Sequence, residues 1–167
     1  EKGLIAVSLA LICMLIYIWF RFEWQFSVGA IFALTHDVFI TIGVFSLLAY
    51  EFNLSIVAAV LTIIGYSMND TVVIYDRIRE NLKKFDKKDL SILLNDSINE
   101  TLPRTIKTSV TTLLALISIY FFGGEILKGF SFALIWGVII GTYSSIFIAS
   151  PILLYICLLY TSPSPRD

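Results

Sequence analysis

Asp70 is the sole charge in the run 52–75, and Arg104 stands where the next long apolar run opens. A carboxylate at membrane depth is costly unless it is paired, hydrated or protonated, so one that sits there reads as an ion or proton site. Ionised, Asp70 would hold Arg104; protonated, it would release it, and the two helices could repack. One proton falling through the membrane potential yields about 2.3 kcal/mol per 100 mV, so a few per cycle suffice to drive a rearrangement. Asn69 and Tyr66 can hydrogen-bond whatever Asp70 binds, and Gly65 would let a neighbouring backbone approach. His36 and Asp37 form a second candidate pair inside the second apolar run. His36 is either a packing histidine bonded to Asp37 or a step in a proton relay.

The elements that carry these groups are set by hydropathy. The chain has 167 residues, 57% of them hydrophobic. Five runs, 3–20, 24–50, 52–75, about 104–122 and 129–156, are long enough to cross about 30 Å of hydrocarbon at about 1.5 Å per residue. They lack the two-residue alternation of barrel strands. The expected fold is all-α: a polytopic helical membrane protein with five transmembrane helices.

Eight of the twelve Lys and Arg residues lie within 77–107. Loop cations favour the cytoplasm, so this end is expected inside, with the first helix entering from the outer face and the chain ending inside. Glu1, with no initiator Met, reads as the cut edge of a longer protein. The first apolar run has no basic leader or cleavage site, and no signal peptide is expected. The tail 157–167, with its Thr-Ser-Pro-Ser-Pro-Arg-Asp ending, resembles a translated sequencing adapter and is set aside from the fold. Cys13 then stands alone, and no disulfide is expected.

Between the third and fourth runs, 76–103 is charged and amphipathic. It reads as two short helices on the membrane surface, broken near Asp86 and Asp89, with basic residues that attract anionic lipids at about 1 kcal/mol each. Pro103 is expected at a helix start, where its missing N–H does no harm. The helix that follows carries Arg104, Thr108 and Thr111 on one stripe and Thr105, Ser109 and Thr112 on the next. This hydroxyl-rich face either lines a polar path or bonds back to its own carbonyls. In the last run Ala133, Gly137, Gly141 and Ser145 form a small-residue ridge, a seam whose partner spacing alone does not name.

No Gly-rich phosphate loop, metal-ligand cluster or nucleophile-with-base arrangement is present, and the chain is not expected to be an enzyme or to need a cofactor or a metal. Nothing points to nucleic acid. The candidate proton path is Asp70, Arg104, Asn69, Asp37, His36 and Thr108.

Three stretches carry a resemblance: Gly65-Tyr-Ser-Met-Asn-Asp-Thr-Val-Val-Ile-Tyr-Asp-Arg-Ile-Arg-Glu-Asn81, Thr101-Leu-Pro-Arg-Thr-Ile-Lys-Thr-Ser-Val-Thr-Thr-Leu-Leu114 and His36-Asp-Val-Phe-Ile-Thr-Ile-Gly43. Together they resemble the signatures of the SecF family of protein translocase subunits, within the resistance–nodulation–division superfamily. The paired SecD family differs at the position of Asn69 and Asp70. The resemblance covers about residues 2–156. It implies the second to sixth helices of a six-helix bundle, so that 1–156 is a transmembrane export domain. It also implies a place in the bacterial inner membrane, with SecD, the SecYEG channel, YajC and the translocating polypeptide as partners. By the same resemblance, the proton-motive force drives protein export, and proton passage falls to Asp70 and Arg104. Pro103 replaces the serine expected before that arginine. The alternative is a proton/substrate antiporter of the same superfamily, exporting lipids or small molecules. A static scaffold, with Asp70 and Arg104 permanently paired, is the third reading.

Overall fold

The computed structural model describes residues 2–21, 24–49, 53–84 and 89–161. These residues form α1 (Lys2–Arg21), α2 (Trp24–Leu47), α3 (Leu54–Lys84), α4 (Leu90–Phe122), α5 (Glu125–Ser144), a π-helical turn (Ser145–Ala149) and α6 (Ser150–Thr161). Four stretches are long and apolar enough to cross a membrane: α2, α3, α4 and the continuous path from α5 into α6. With α1 as the fifth, the bundle is the all-helical polytopic one expected from hydropathy.

α3 is the hub, packing against α1, α2, α4, α5 and the π turn. The small-residue ridge of α5 explains one of these contacts. Ala133, Gly137, Gly141 and Ser145 are all buried, a Cβ on Gly137 would run into Ile63, and one on Gly141 would stand 3.1 Å from Ser67 Cβ. The seam partner is therefore α3 of this same chain. Gly65 does the opposite of what its type suggests. Among the described residues nothing lies within 4 Å of a Cβ built there, so it gives none of their backbones a close approach.

The charged segment 76–103 differs from the expected pair of surface helices. Its two halves are direct continuations of α3 and α4, and 85–88 lie outside the described residues. Their apolar sides face protein instead of lipid: Ile78, Leu93 and Leu94 are buried in one cluster with Phe26, Tyr75 and Leu153. Asp89 caps α4 by accepting from the Ser91 N–H at 3.1 Å.

Pro103 lies inside α4, not at its start. It removes one backbone donor, but its ring is on the exposed side, and buried Leu93, Leu94, Ser97 and Thr101 anchor the turns before it. Packing on one face thus outweighs the local break.

The last span is likewise not one regular helix. Pro151 cannot donate to the preceding turn, and the chain widens to a π turn just before it. Ser150 Oγ donates across that turn to the Ser145 carbonyl at 3.2 Å. At the other end Gly124, at φ 79°, makes the left-handed corner into α5 that a side chain would resist.

Apolar clusters hold both ends of the bundle. Toward the basic end lie Phe26, Ala30, Ile74, Tyr75, Ile78, Leu93 and Leu153; toward the other lie Phe45, Ile56, Ala59, Ile63, Leu116 and Val138. Between them sits a buried polar layer containing Asp37, Thr41, Ser67, Asp70, Thr71, Thr105, Ser109 and Ser144. On the outside, α4 exposes Ile106, Val110, Leu114, Ile117 and Phe121 along one stripe, a face suited to hydrocarbon.

Candidate functional site

The buried polar layer holds both acids expected from the sequence, in very different surroundings. Asp37 on α2 is 0% exposed. Its Oδ2 accepts from Ser67 Oγ of α3 at 2.6 Å and from Ser144 Oγ of α5 at 2.8 Å. Its Oδ1 stands 3.2 Å from His36 Nδ1. Two hydroxyls converging on one oxygen suit a carboxylate oxygen that carries no proton. One turn along α2, Thr41 Oγ1 donates to the Asp37 carbonyl at 2.7 Å.

Asp70 on α3 is 3% exposed, and its Oδ2 has no hydrogen-bond partner. Arg104 on α4 is the cation whose field reaches it. Among the described residues no ion pair joins the two, and Arg104 is exposed. The register of the antiparallel α3 and α4 explains how they stand. Asn81 Nδ2 donates to Ser97 Oγ at 2.9 Å, Arg77 pairs with Glu100, and Tyr66 donates to Ser109 Oγ at 3.4 Å. Arg104 therefore sits level with the turn just beyond Asp70 on the charged side. Its side chain is long enough to lean toward Asp70, and in this state it does not close the pair.

The other candidates separate. Asn69 is exposed on the outward side of α3, beside the open face of Gly65. Thr108 returns its hydroxyl to its own helix, to the Arg104 carbonyl at 3.2 Å and the Thr105 carbonyl at 3.0 Å. Thr111 and Ser118 do the same. The inward stripe is the one with Thr105 and Ser109, both buried. Ser109 meets Thr142 of α5 at 2.7 Å, so Tyr66, Ser109 and Thr142 link three helices.

Ser67, Ser144 and Tyr75 were not singled out from the sequence. Ser67 lies within the Gly65–Asn81 stretch and shares a face with Ile63 and Ile74, which was its available signal. Ser144 stands three residues after Gly141 and seven after Gly137, so the face of the small-residue ridge was its available signal. Tyr75 donates to the Ala149 carbonyl at 3.1 Å, and a Cβ on Gly29 would strike its hydroxyl. This ties α2, α3 and the π turn together.

Beyond the apolar part, charges close the basic end. Glu100 accepts from Arg77 and from Asn81 Nδ2, the latter at 3.2 Å, and those hydrogen bonds hold its carboxyl below the ordinary range. Glu80 is lowered by hydrogen bonds from Lys84 and Arg77. Arg21 bonds to Asp76 at 3.3 Å, joining α1 to α3. Among the described residues no group of three or more His, Cys, Asp or Glu side chains is placed to hold a metal ion.

A model of the family described as "Protein export membrane protein SecD/SecF, C-terminal" matches residues 1–158. The protein translocase subunit SecF of Rickettsia rickettsii is 55% identical over 153 residues, covering 92% of this chain and 50% of that protein. SecF of Cereibacter sphaeroides is 54% identical over 156 residues, covering 93% and 48%. The crystal structure of SecDF from Thermus thermophilus, a translocon-associated membrane protein, superposes with a TM-score of 0.91 at 44% identity, covering 94% of this chain and 22% of that one. The chain thus spans about half the length of the curated relatives it matches. The family model over nearly the whole chain, the run of identity to SecF and the superposition on SecDF make this chain a multi-pass membrane protein of the SecD/SecF export family, on the SecF side of it.

Proposed function

We propose that this chain is the membrane part of a SecF-type subunit that couples the proton-motive force to export of proteins across the bacterial inner membrane. The observation that carries the reading is Asp70: a buried carboxyl in an apolar helix, with an oxygen left without a partner, in a chain of this family. Such a group has two states open to it, a proton-bound one and one that draws in Arg104. Asp37 and His36 are the second candidate pair in the same layer, while Asn69, on the outward side of α3, and Thr108, bonded back to α4, stand at the edge of the route. The basic end is the cytoplasmic one, because loop cations gather there. SecD, the SecYEG channel and the translocating polypeptide are the partners, with YajC and anionic lipids beside them; the subunit acts without catalysing a covalent step. The relatives' names lend no support to the exporter alternative.

The test is Asp70→Asn in the full-length protein, with export measured in membrane vesicles with and without a protonophore. Export in the variant is expected to fall to its protonophore-treated level. Undiminished, protonophore-sensitive export by the variant would refute the proposal.

A further inference from the structure

We infer that Ser67 and Ser144 are positioning residues for Asp70, acting through Asp37 to set the rotation of α3 against α4. The inference rests on the proton-site reading of Asp70.

Among the described residues, Asp37 is the one point where α2, α3 and α5 meet through side-chain hydrogen bonds to a single oxygen. The donors come from residues thirty and one hundred and seven positions away in the chain. All three side chains are fully buried: Asp37, Ser67 and Ser144 are each 0% exposed. No water reaches them to replace a lost donor, so the carboxylate enforces the hydroxyls' positions and thereby those of their helices.

Ser67 lies near the middle of the buried face of α3, and Asp70 lies about 60° round the helix from it, toward α4. Thr71 Oγ1, one turn after Ser67, donates to the Ser67 carbonyl at 3.1 Å, making that stretch of α3 move as a unit. Gly141 lets α5 close directly on Ser67. Tyr75, two turns on and on the α2 side, holds the Ala149 carbonyl. Rotation of α3 is thus pinned at Ser67 and at Tyr75, while among the described residues the α4 side offers at this level only the long Tyr66 to Ser109 hydrogen bond. Freeing Ser67 lets the Asp70 edge turn, which changes both its burial and its distance from Arg104.

The groups that set the charge balance near Asp70 are Arg104 on α4, Tyr66 on its own helix and the His36–Asp37 pair on α2. On α5 the neighbouring polar side chains are the hydroxyls Thr142 and Ser144. Ser27, a buried α2 hydroxyl with no partner, serves as a control outside the node.

The experiment follows the protonated-carboxyl stretch of the full-length protein, reconstituted with its partner subunits, by infrared difference spectroscopy across pH. Asp70→Asn and Asp37→Asn assign the two bands. Ser67→Ala and Ser144→Ala are each expected to move the midpoint of the Asp70 band by about one pH unit, a tenfold change in proton affinity. Ser67→Cys, a weaker donor of similar size, is expected to move it less, and Ser27→Ala not at all. An Asp70 band that keeps its midpoint in both alanine variants overturns the positioning role and leaves Asp70 a proton site. An equal shift in Ser27→Ala overturns it as well, by showing a general loss of packing. If Asp70→Asn removes no titrating band, the proton-site reading falls and this inference falls with it. Ser144→Ala keeps the test decisive should Ser67→Ala fail to assemble.

Discussion

The seam between α3 and α5 predicts opposite fates for two glycine-to-alanine changes. In Gly137→Ala the new methyl meets Cγ1, Cγ2 and Cδ1 of Ile63, which is 1% exposed. Ile63 is β-branched, and a helix leaves it essentially one χ1 well, so the branch carbons cannot swing aside. The helices must separate instead, and overpacking of this kind costs about 1–3 kcal/mol. In water, a gain of about 1 kcal/mol in helix propensity would offset part of that. In a membrane or micelle the helices persist when the bundle comes apart, so the offset is largely lost. Gly65→Ala adds the same methyl where nothing lies within 4 Å, and its effect stays within about 0.5 kcal/mol. The assay is reversible unfolding of the purified protein in mixed micelles titrated with a denaturing detergent, with helix separation followed by Trp fluorescence. Equal midpoints for the two variants, or a larger loss for Gly65→Ala, would show that the ridge of α5 does not seat on α3.

Tyr75→Phe leaves the Ala149 carbonyl without its hydroxyl donor beside Gly29, and in the same assay is expected to cost about 1–3 kcal/mol; a silent variant would show that the π turn does not depend on that bond. Pro103→Ala restores the missing donor within α4 and is expected to stabilise the helical hairpin by up to about 3 kcal/mol, read as slower amide exchange around residues 97–104. Acid should open the same hairpin. Glu100 has a folded pKa below its unfolded one, so its contribution is present above the ordinary carboxylate pKa of about 4.3 and is lost as pH falls through the lower folded value. Amide exchange in 77–84 and 90–100, relative to its intrinsic rate at each pH, should therefore accelerate below about pH 4, and Glu100→Gln should reduce that pH dependence to the part carried by Glu80.

The chain's hydropathy determined much of this architecture directly. Hydrocarbon thickness sets span length, and an apolar run of twenty residues has one stable form in lipid, so the number and type of the elements were legible. So was the buried carboxyl at Asp70, because a lone charge in such a run stands out whatever its neighbours are. The ridge at Ala133, Gly137, Gly141 and Ser145 announced a seam. What it met was decided by three dimensions, since periodicity tells which residues share a face and not which helix that face touches. The same limit hid Ser67 and Ser144, whose common partner Asp37 is distant in sequence from both. Pro103 misled because a local rule about helix starts was overridden by burial of the turns before it. Arg104 makes no ion pair with Asp70 in this state, and the register of α3 on α4 that spaces them is set by Asn81, Arg77 and Tyr66, contacts that no single helix encodes. Composition and period are properties of one segment, whereas a hydrogen bond between helices belongs to the packed bundle, and only the bundle could supply it.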